Sequence, residues 1–226
     1  MSQALVANNL PLLSSLGSME AYIGAVHQIP VLSVEDEQRL ARRLREDNDI
    51  GAAQELILSH LRFVIHVARG YSGYGLQLGD LVQEGNIGLM KAVKRFDPSV
   101  GVRLVSFAVH WIRAEMHEYI IKNWRIVKVA TTKAQRKLFF NLRSMKHGFK
   151  ADAIDADTHR EALSEHEIDL MAERLNVKRE EVIEMETRMA GGDVLLDPAP
   201  SDDGEQAFGP IAYLADAAHE PTAMIE

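Results

Sequence analysis

The chain has 226 residues, no cysteine and a net charge of −8, with an ordinary hydrophobic share of 46%. The lack of cysteine excludes disulfides, thiolate metal sites and a cysteine nucleophile, and no apolar run reaches the ~18 residues needed to span a bilayer. Charge is unevenly spread: residues 1–100 net −2, residues 151–226 net −15, and residues 101–150 net +9, with eleven Lys and Arg against Glu115 and Glu118 alone. A basic block inside an acidic chain is the footprint of a polyanion-binding surface.

Residues 1–17 read as a loose leader. The stretch MSQALVANNLPLLSSLG lacks both the basic start and the apolar run of a signal peptide, so a cytoplasmic protein is expected. Met19 to His27 fits a short helix stopped by Pro30. Ser33 is a good N-cap, with Asp36 three residues on and Glu35 to Glu37 favouring the positive helix end, for a helix to about Asp47. Asn48 to Ile50 make a turn. A helix over Ala52 to Tyr71 follows, with Leu56, Ile57, Leu61, Val64, Ile65 and Ala68 crowding one side. Glycines 70, 73, 75 and 79 break it into a loop. Asp80 caps a helix through LVQEGNIGLMKAVKRF to about Phe96, and Asp97-Pro98 ends it.

The central stretch, SFAVHWIRAEMHEYIIKNWRIVKVATTK, runs from Ser106 to Lys133. With Ser106 to Trp124 as one helix, Val109, Ile112, Met116 and Tyr119 recur at three- and four-residue steps and predict a buried stripe. Ser106, His110, Arg113 and His117 line another face, with Phe107, Trp111, Ala114 and Glu118 beside it. Rings for stacking next to hydrogen-bond donors suit single-stranded or opening nucleic acid. Phe107 and Trp111 fit a core pair equally well by spacing, since aromatic rings carry much of any core. The surrounding positive charge favours the nucleic-acid reading.

Val127 to Ala130 is a short link. Thr131 or Thr132 caps a basic amphipathic helix, KAQRKLFFNLRSMK, expected to end at Gly148. Lys150 to Thr158 reads as an acidic linker or insertion. Ser164 caps EHEIDLMAERL, Asn176-Val177 turns the chain, and Lys178 opens REEVIEMETRMA. This is the shape of a helix-turn-helix, but Glu180, Glu181, Glu184 and Glu186 make its second helix a poor major-groove reader, which favours a structural role. From Gly191 the composition turns to Gly, Pro and Asp, as in an acidic, flexible linker, with Ile211 to Leu214 a short anchor. The expected class is all-α, in two helical domains over 18–128 and 129–190, with 191–226 as linker.

Motifs for catalysis are lacking. His117-Glu118 begins a possible HExxH zinc helix, but Ile121 occupies the last position. There is no GxxxxGK phosphate loop and no GxSxG elbow; GNIGLMK lies inside a predicted helix. Neither catalytic activity, metal nor cofactor is expected.

DLVQEGNIGLMKAVKRFDP (Asp80 to Pro98), followed by the aromatic and basic helix, resembles the most characteristic segment of the bacterial sigma-70 family of transcription factors. QRKLFFNLR (Gln135 to Arg143) resembles the box that marks its heat-shock, sigma-32 branch. The likeness runs from about Met19 to Met189 and implies a sigma region 2-like domain followed by a region 3-like domain. It implies a non-catalytic subunit that binds core RNA polymerase, directs it to heat-shock promoters and helps open them. The helix opening at Asp80 would dock on a coiled coil of the largest polymerase subunit, through Asp80, Gln83, Glu84, Asn86 and Met90. Phe107, His110 and Trp111 fall on the family's stacking positions for the −10 element. Ala114 and His117 fall where its upstream edge is read, and Arg113 lies on the same DNA-binding helix. Val102 and Leu104 stand where housekeeping members carry aromatics. Lys128, Lys133 and Arg136 fall near the reader of the extended −10 region, or contact phosphates. The helix near Ile50 to His66 resembles a site of control by chaperones and a regulatory protease, although its small and apolar face fits a core face equally well and the pattern alone favours the core. The likeness also implies a −35-reading domain that the chain does not reach before Glu226. The alternative to an initiating sigma factor is therefore a truncated form that binds core polymerase without initiating.

Overall fold

The computed structural model describes residues 18–152, 162–193, 196 and 210–214. The expected leader over 1–17, most of the Lys150–Thr158 linker and most of the acidic stretch after Gly191 lie outside the described residues. Among those described, every regular element is helical, as the all-α reading requires. The chain divides into two compact units, Met1–Lys128 and Val129–Glu226.

The first unit holds α1 (Met19–Gln28), α2 (Val34–Asp47), α3 (Ile50–Arg69), α4 (Leu78–Arg95) and α5 (Leu104–Asn123). Ser18 caps α1 and Ser33 caps α2 through their hydroxyls, which accept from the amides of Ala21 (3.2 Å) and Asp36 (3.1 Å). Asn48 ends α2 in the left-handed region, φ 51°, which asparagine tolerates. Asp49 then caps α3, accepting from Gly51 (2.8 Å) and Ala52 (3.3 Å). The helix thus starts at Ile50 rather than Ala52, because the cap sits inside what reads as a turn. Likewise α4 starts at Leu78, with Gln77 at the cap position, so Asp80 lies in the first turn rather than before it.

Helix α5 starts at Leu104, earlier than Ser106. Its first amide donates to the carboxylate of Glu37, on α2, at 2.8 Å. That carboxylate also accepts three 3.2 Å hydrogen bonds from the Arg103 guanidinium and lies 3.5 Å from His60 Nε2 on α3. Glu37 is only 1% exposed. A buried carboxylate is tolerated when paired and hydrogen-bonded. Here it ties α2, α3 and α5 together at the positive end of the α5 dipole.

The predicted α5 stripe is corrected. Leu104, Ala108, Ile112, Met116 and Ile120 are fully buried, whereas Val109 and Tyr119 are half-buried. The inner face lies one position round from the expected one, because the helix packs most heavily on α4. Two α4 glycines set that approach. A Cβ on Gly88 would stand 2.6 Å from the Trp111 carbonyl oxygen, and one on Gly85 2.3 Å from Met116 Cε. The GNIG stretch is therefore a helix-packing seam.

The second unit holds α6 (Lys133–Asp152), α7 (Glu165–Leu175) and α8 (Arg179–Ala190). Thr132 caps α6, its Oγ1 accepting from the Gln135 amide at 3.2 Å, while Gln135 Oε1 accepts from the amides of Thr131 (3.0 Å) and Thr132 (3.1 Å). Instead of ending at Gly148, α6 runs through it. One interior glycine costs only about 1 kcal/mol, and Phe149 beyond it is still half-buried. A capping box of Ser164 and Glu167 opens α7, and Asn176, φ 47°, makes the turn to α8. Leu138, Phe139, Leu142, Ile168, Met171, Val182 and Met185 form the core. The acids of α8 partly serve structure: Glu186 binds Lys146 at 2.9 Å and the Leu163 amide at 2.8 Å. Pro210–Tyr213 is a short 3-10 turn. Ile211 and Leu214 are 54% and 63% exposed, so these side chains are not buried as an anchor would be.

Candidate nucleic-acid interface

The positions singled out on α4 divide by accessibility. Asp80 and Gln83 are exposed and Glu84 is half-buried; Met90 is 46% exposed, with Ile87 beside it at 37%. Asp80 accepts from the Tyr119 hydroxyl at 3.1 Å. Asn86 is half-buried, its Nδ2 donating to the Tyr22 hydroxyl and to Gln83 Oε1, both at 3.3 Å. Its Oδ1 is buried without a partner. Asn86 thus anchors α1 while it braces the neighbouring glutamine.

On α5, His110, Arg113 and Ala114 are exposed and Phe107 and Trp111 half-buried. The aromatic pair packs on itself and on the core without being fully buried. Phe107 packs 6.0 Å from Phe96, which is 7% exposed, and 6.3 Å from Trp111. The Arg95 guanidinium lies over the Trp111 ring, 4.4 Å from its centroid. An accessible ring face that holds a flat cation can hold a base. Leu104 is fully buried, so it belongs to the core, and Val102 is 48% exposed.

His117 is half-buried, with Nε2 2.8 Å from the Tyr71 hydroxyl. The rings meet edge to face at 5.1 Å and 82°. Burial, reinforced by the Arg113 charge, holds the imidazole below its ordinary pKa and so favours its neutral form. Burial raises the Tyr71 phenol, against the pull of Arg113. Lys128 is exposed in the first unit; Lys133 and Arg136 are exposed on α6 in the second. No three His, Asp or Glu side chains are grouped to hold a metal among the described residues, and no described helix is long and apolar enough to cross a membrane.

Two features escaped the sequence reading. One is the Glu37 cluster. The other is a hollow of about 400 Å³ beside it, lined by His27, Arg62, Phe63, His66, Arg69 and Val105 among others. Arg62 Nη2 donates to the His27 carbonyl at 2.6 Å, and its Nε is buried without a partner. Only the spread of His and Arg along α3 hinted at the hollow.

Residues 56–126 match the protein family described as Sigma-70 region 2. The chain is 45% identical over 197 residues to the RNA polymerase sigma factor RpoH of Zymomonas mobilis subsp. mobilis. That match covers 87% of the chain and 63% of the relative, so the chain spans somewhat under two thirds of the curated relative's length.

Proposed function

We propose that the chain belongs to the heat-shock branch of the sigma-70 family and is a cytoplasmic, non-catalytic specificity subunit of RNA polymerase; the Sigma-70 region 2 match over residues 56–126 and the 45% identity to a sigma factor RpoH support this. In this reading it binds core enzyme, directs it to heat-shock promoters and helps to open the −10 element. The observation that carries it is α5, where the half-buried Trp111 ring takes the flat Arg95 guanidinium over it, beside the face that carries His110, Arg113 and His117. Flipped bases need such a ring to stack on and donors for their edges. Residues 18–128 act as the region 2-like domain and 129–190 as the region 3-like domain.

Asp80, Gln83, Glu84 and Met90 present short polar groups and one exposed methionine to the coiled coil of the largest polymerase subunit, with Asn86 setting Gln83 from behind. Lys128, Lys133 and Arg136 contact the extended −10 region. Control by chaperones and a regulatory protease is read onto the start of α3. There Ile50 is 82% exposed, and Ala53 and Ile57 line a hollow of about 580 Å³ with Leu44 and Met90. Run-off transcription with core enzyme on a heat-shock promoter tests the whole reading. Transcript from that promoter supports it; core binding without transcript would make the chain a non-initiating occupant of the polymerase.

A further inference from the structure

We propose that Tyr71 is the positioning residue for His117, fixing its ring and tautomer so that α5 discriminates between bases at the upstream edge of the −10 element. The inference rests on the promoter-reading role above and adds a residue from a different element. Tyr71 lies in the loop after α3, not on the reading helix. Its amide donates to the Ala68 carbonyl at 2.9 Å, and its own carbonyl accepts from the Tyr74 amide at 3.3 Å. The Tyr74 ring packs 6.3 Å away, and Gly75, φ 76°, turns the chain off towards α4. The phenol is therefore rooted before it reaches His117.

It holds the imidazole at two points. The edge-to-face contact restricts ring rotation, and the 2.8 Å hydrogen bond to Nε2 selects the proton's place. In a neutral imidazole one nitrogen donates and the other accepts. A phenol O–H is the better donor and an imidazole nitrogen the better acceptor. The O–H therefore donates to Nε2, and the ring proton resides on Nδ1. A donor at Nδ1 matches purine N7 or guanine O6 and opposes the amino group of cytosine. Arg113, one turn back on α5, supplies charge but no such discrimination between tautomers.

The test uses the full chain with core RNA polymerase and four promoters that differ only in the base pair at the upstream end of the −10 element. Open-complex half-lives are compared for wild type, Tyr71→Phe, His117→Ala and the double variant. Nitrogen-15 NMR of the histidine-labelled chain reports the tautomer. Tyr71→Phe should narrow the spread among the four promoters by about fivefold, the worth of one hydrogen bond, and should move His117 from a single tautomer to a mixture. His117→Ala should narrow the spread at least as far, and the double variant no further. An intact spread in either single variant overturns the proposal. So does equal weakening on all four promoters with a lower melting temperature, which would be a packing role alone. Trp111→Ala on the same promoters separates the two levels. If it impairs opening while Tyr71→Phe changes nothing, the promoter-opening reading stands and the positioning role falls. If it is silent, that reading itself fails.

Discussion

Gly88 offers the sharpest test of the seam between the helix that is read as docking polymerase and the helix that is read as opening DNA. An alanine Cβ there would stand 2.6 Å from the Trp111 carbonyl oxygen, 2.7 Å from Ile112 Cα and 2.9 Å from the Trp111 carbonyl carbon. Comfortable contacts lie near 3.5–4.0 Å, so relief requires α4 and α5 to separate by roughly 1 Å. All three atoms are main chain in mid-helix, and no rotamer change can move them. Alanine gains about 1 kcal/mol in helix propensity. Overpacking costs about 1–3 kcal/mol, and the upper end applies where the backbone must give. The net loss is about 2 kcal/mol, or about 6–10 °C in melting temperature for a unit of this size. Gly85→Ala is the internal control. Its Cβ would meet Met116 Cε at 2.3 Å and Val64 Cγ1 at 2.6 Å, and the methionine tip can swing aside, so the loss should be smaller. Thermal and urea unfolding followed by circular dichroism measure both. A Gly88→Ala variant as stable as wild type, or less affected than Gly85→Ala, would refute the account of the seam.

Other consequences are open to direct measurement. Gln83→Ala with Glu84→Ala should weaken capture of core polymerase while leaving the melting temperature unchanged; undiminished capture would remove these residues from the docking face. Trp111→Ala should cost roughly 1–3 kcal/mol of stacking, about one to two orders of magnitude in open-complex stability, read by permanganate reactivity of unpaired thymines. Its half-buried ring makes a modest fall in melting temperature acceptable, but a collapse would return Trp111 to the core. Charge reversal at Lys133 or Arg136 should flatten the salt dependence of promoter binding by roughly one unit per lost phosphate contact; an unchanged slope would place the DNA elsewhere. Asp97 accepts from the Ser99 hydroxyl and amide and pairs with Arg45, which lowers its pKa to about 2 from 3.8. Its contribution to stability should be fully present above about pH 4 and fade as pH falls towards 2, since the unfolded chain takes up the proton first. A carboxyl titration by NMR near the ordinary value, or an unaltered acid limb in Asp97→Asn, would contradict this.

The helical class, Ser33 as a cap and the order of elements were legible because each depends on neighbours in sequence. Glu37 shows where that ends. In sequence it is one of three acids in a first helical turn, which is reason enough for its charge. Its real partners, His60, Arg103 and the Leu104 amide, become neighbours only after folding. The start of α5 was misplaced for the same reason, since its cap comes from another helix. Gly85 and Gly88 lack the pattern of a phosphate loop, yet their close approach to α5 depends on a partner that no local pattern names. Spacing does not separate the two readings of Phe107 and Trp111; in the fold Phe107 leans on the core through Phe96, and Trp111 turns a face to Arg95. Tyr71 reads as the last residue of a helix, which the fold ends at Arg69, and its contact with His117 depends on a partner distant in sequence.

Glu37 also bears on where the chain can be cut. The stretch that matches Sigma-70 region 2, residues 56–126, contains His60, Arg103 and Leu104 but leaves Glu37 outside. A fragment with those limits would keep the first amide of α5 and lose the carboxylate that caps it, and losing a cap costs about 0.5–2 kcal/mol. The stretch that is recognisable across relatives and the smallest stretch that can close its own hydrogen bonds therefore have different edges. An excised domain intended to stand alone must begin upstream of α2.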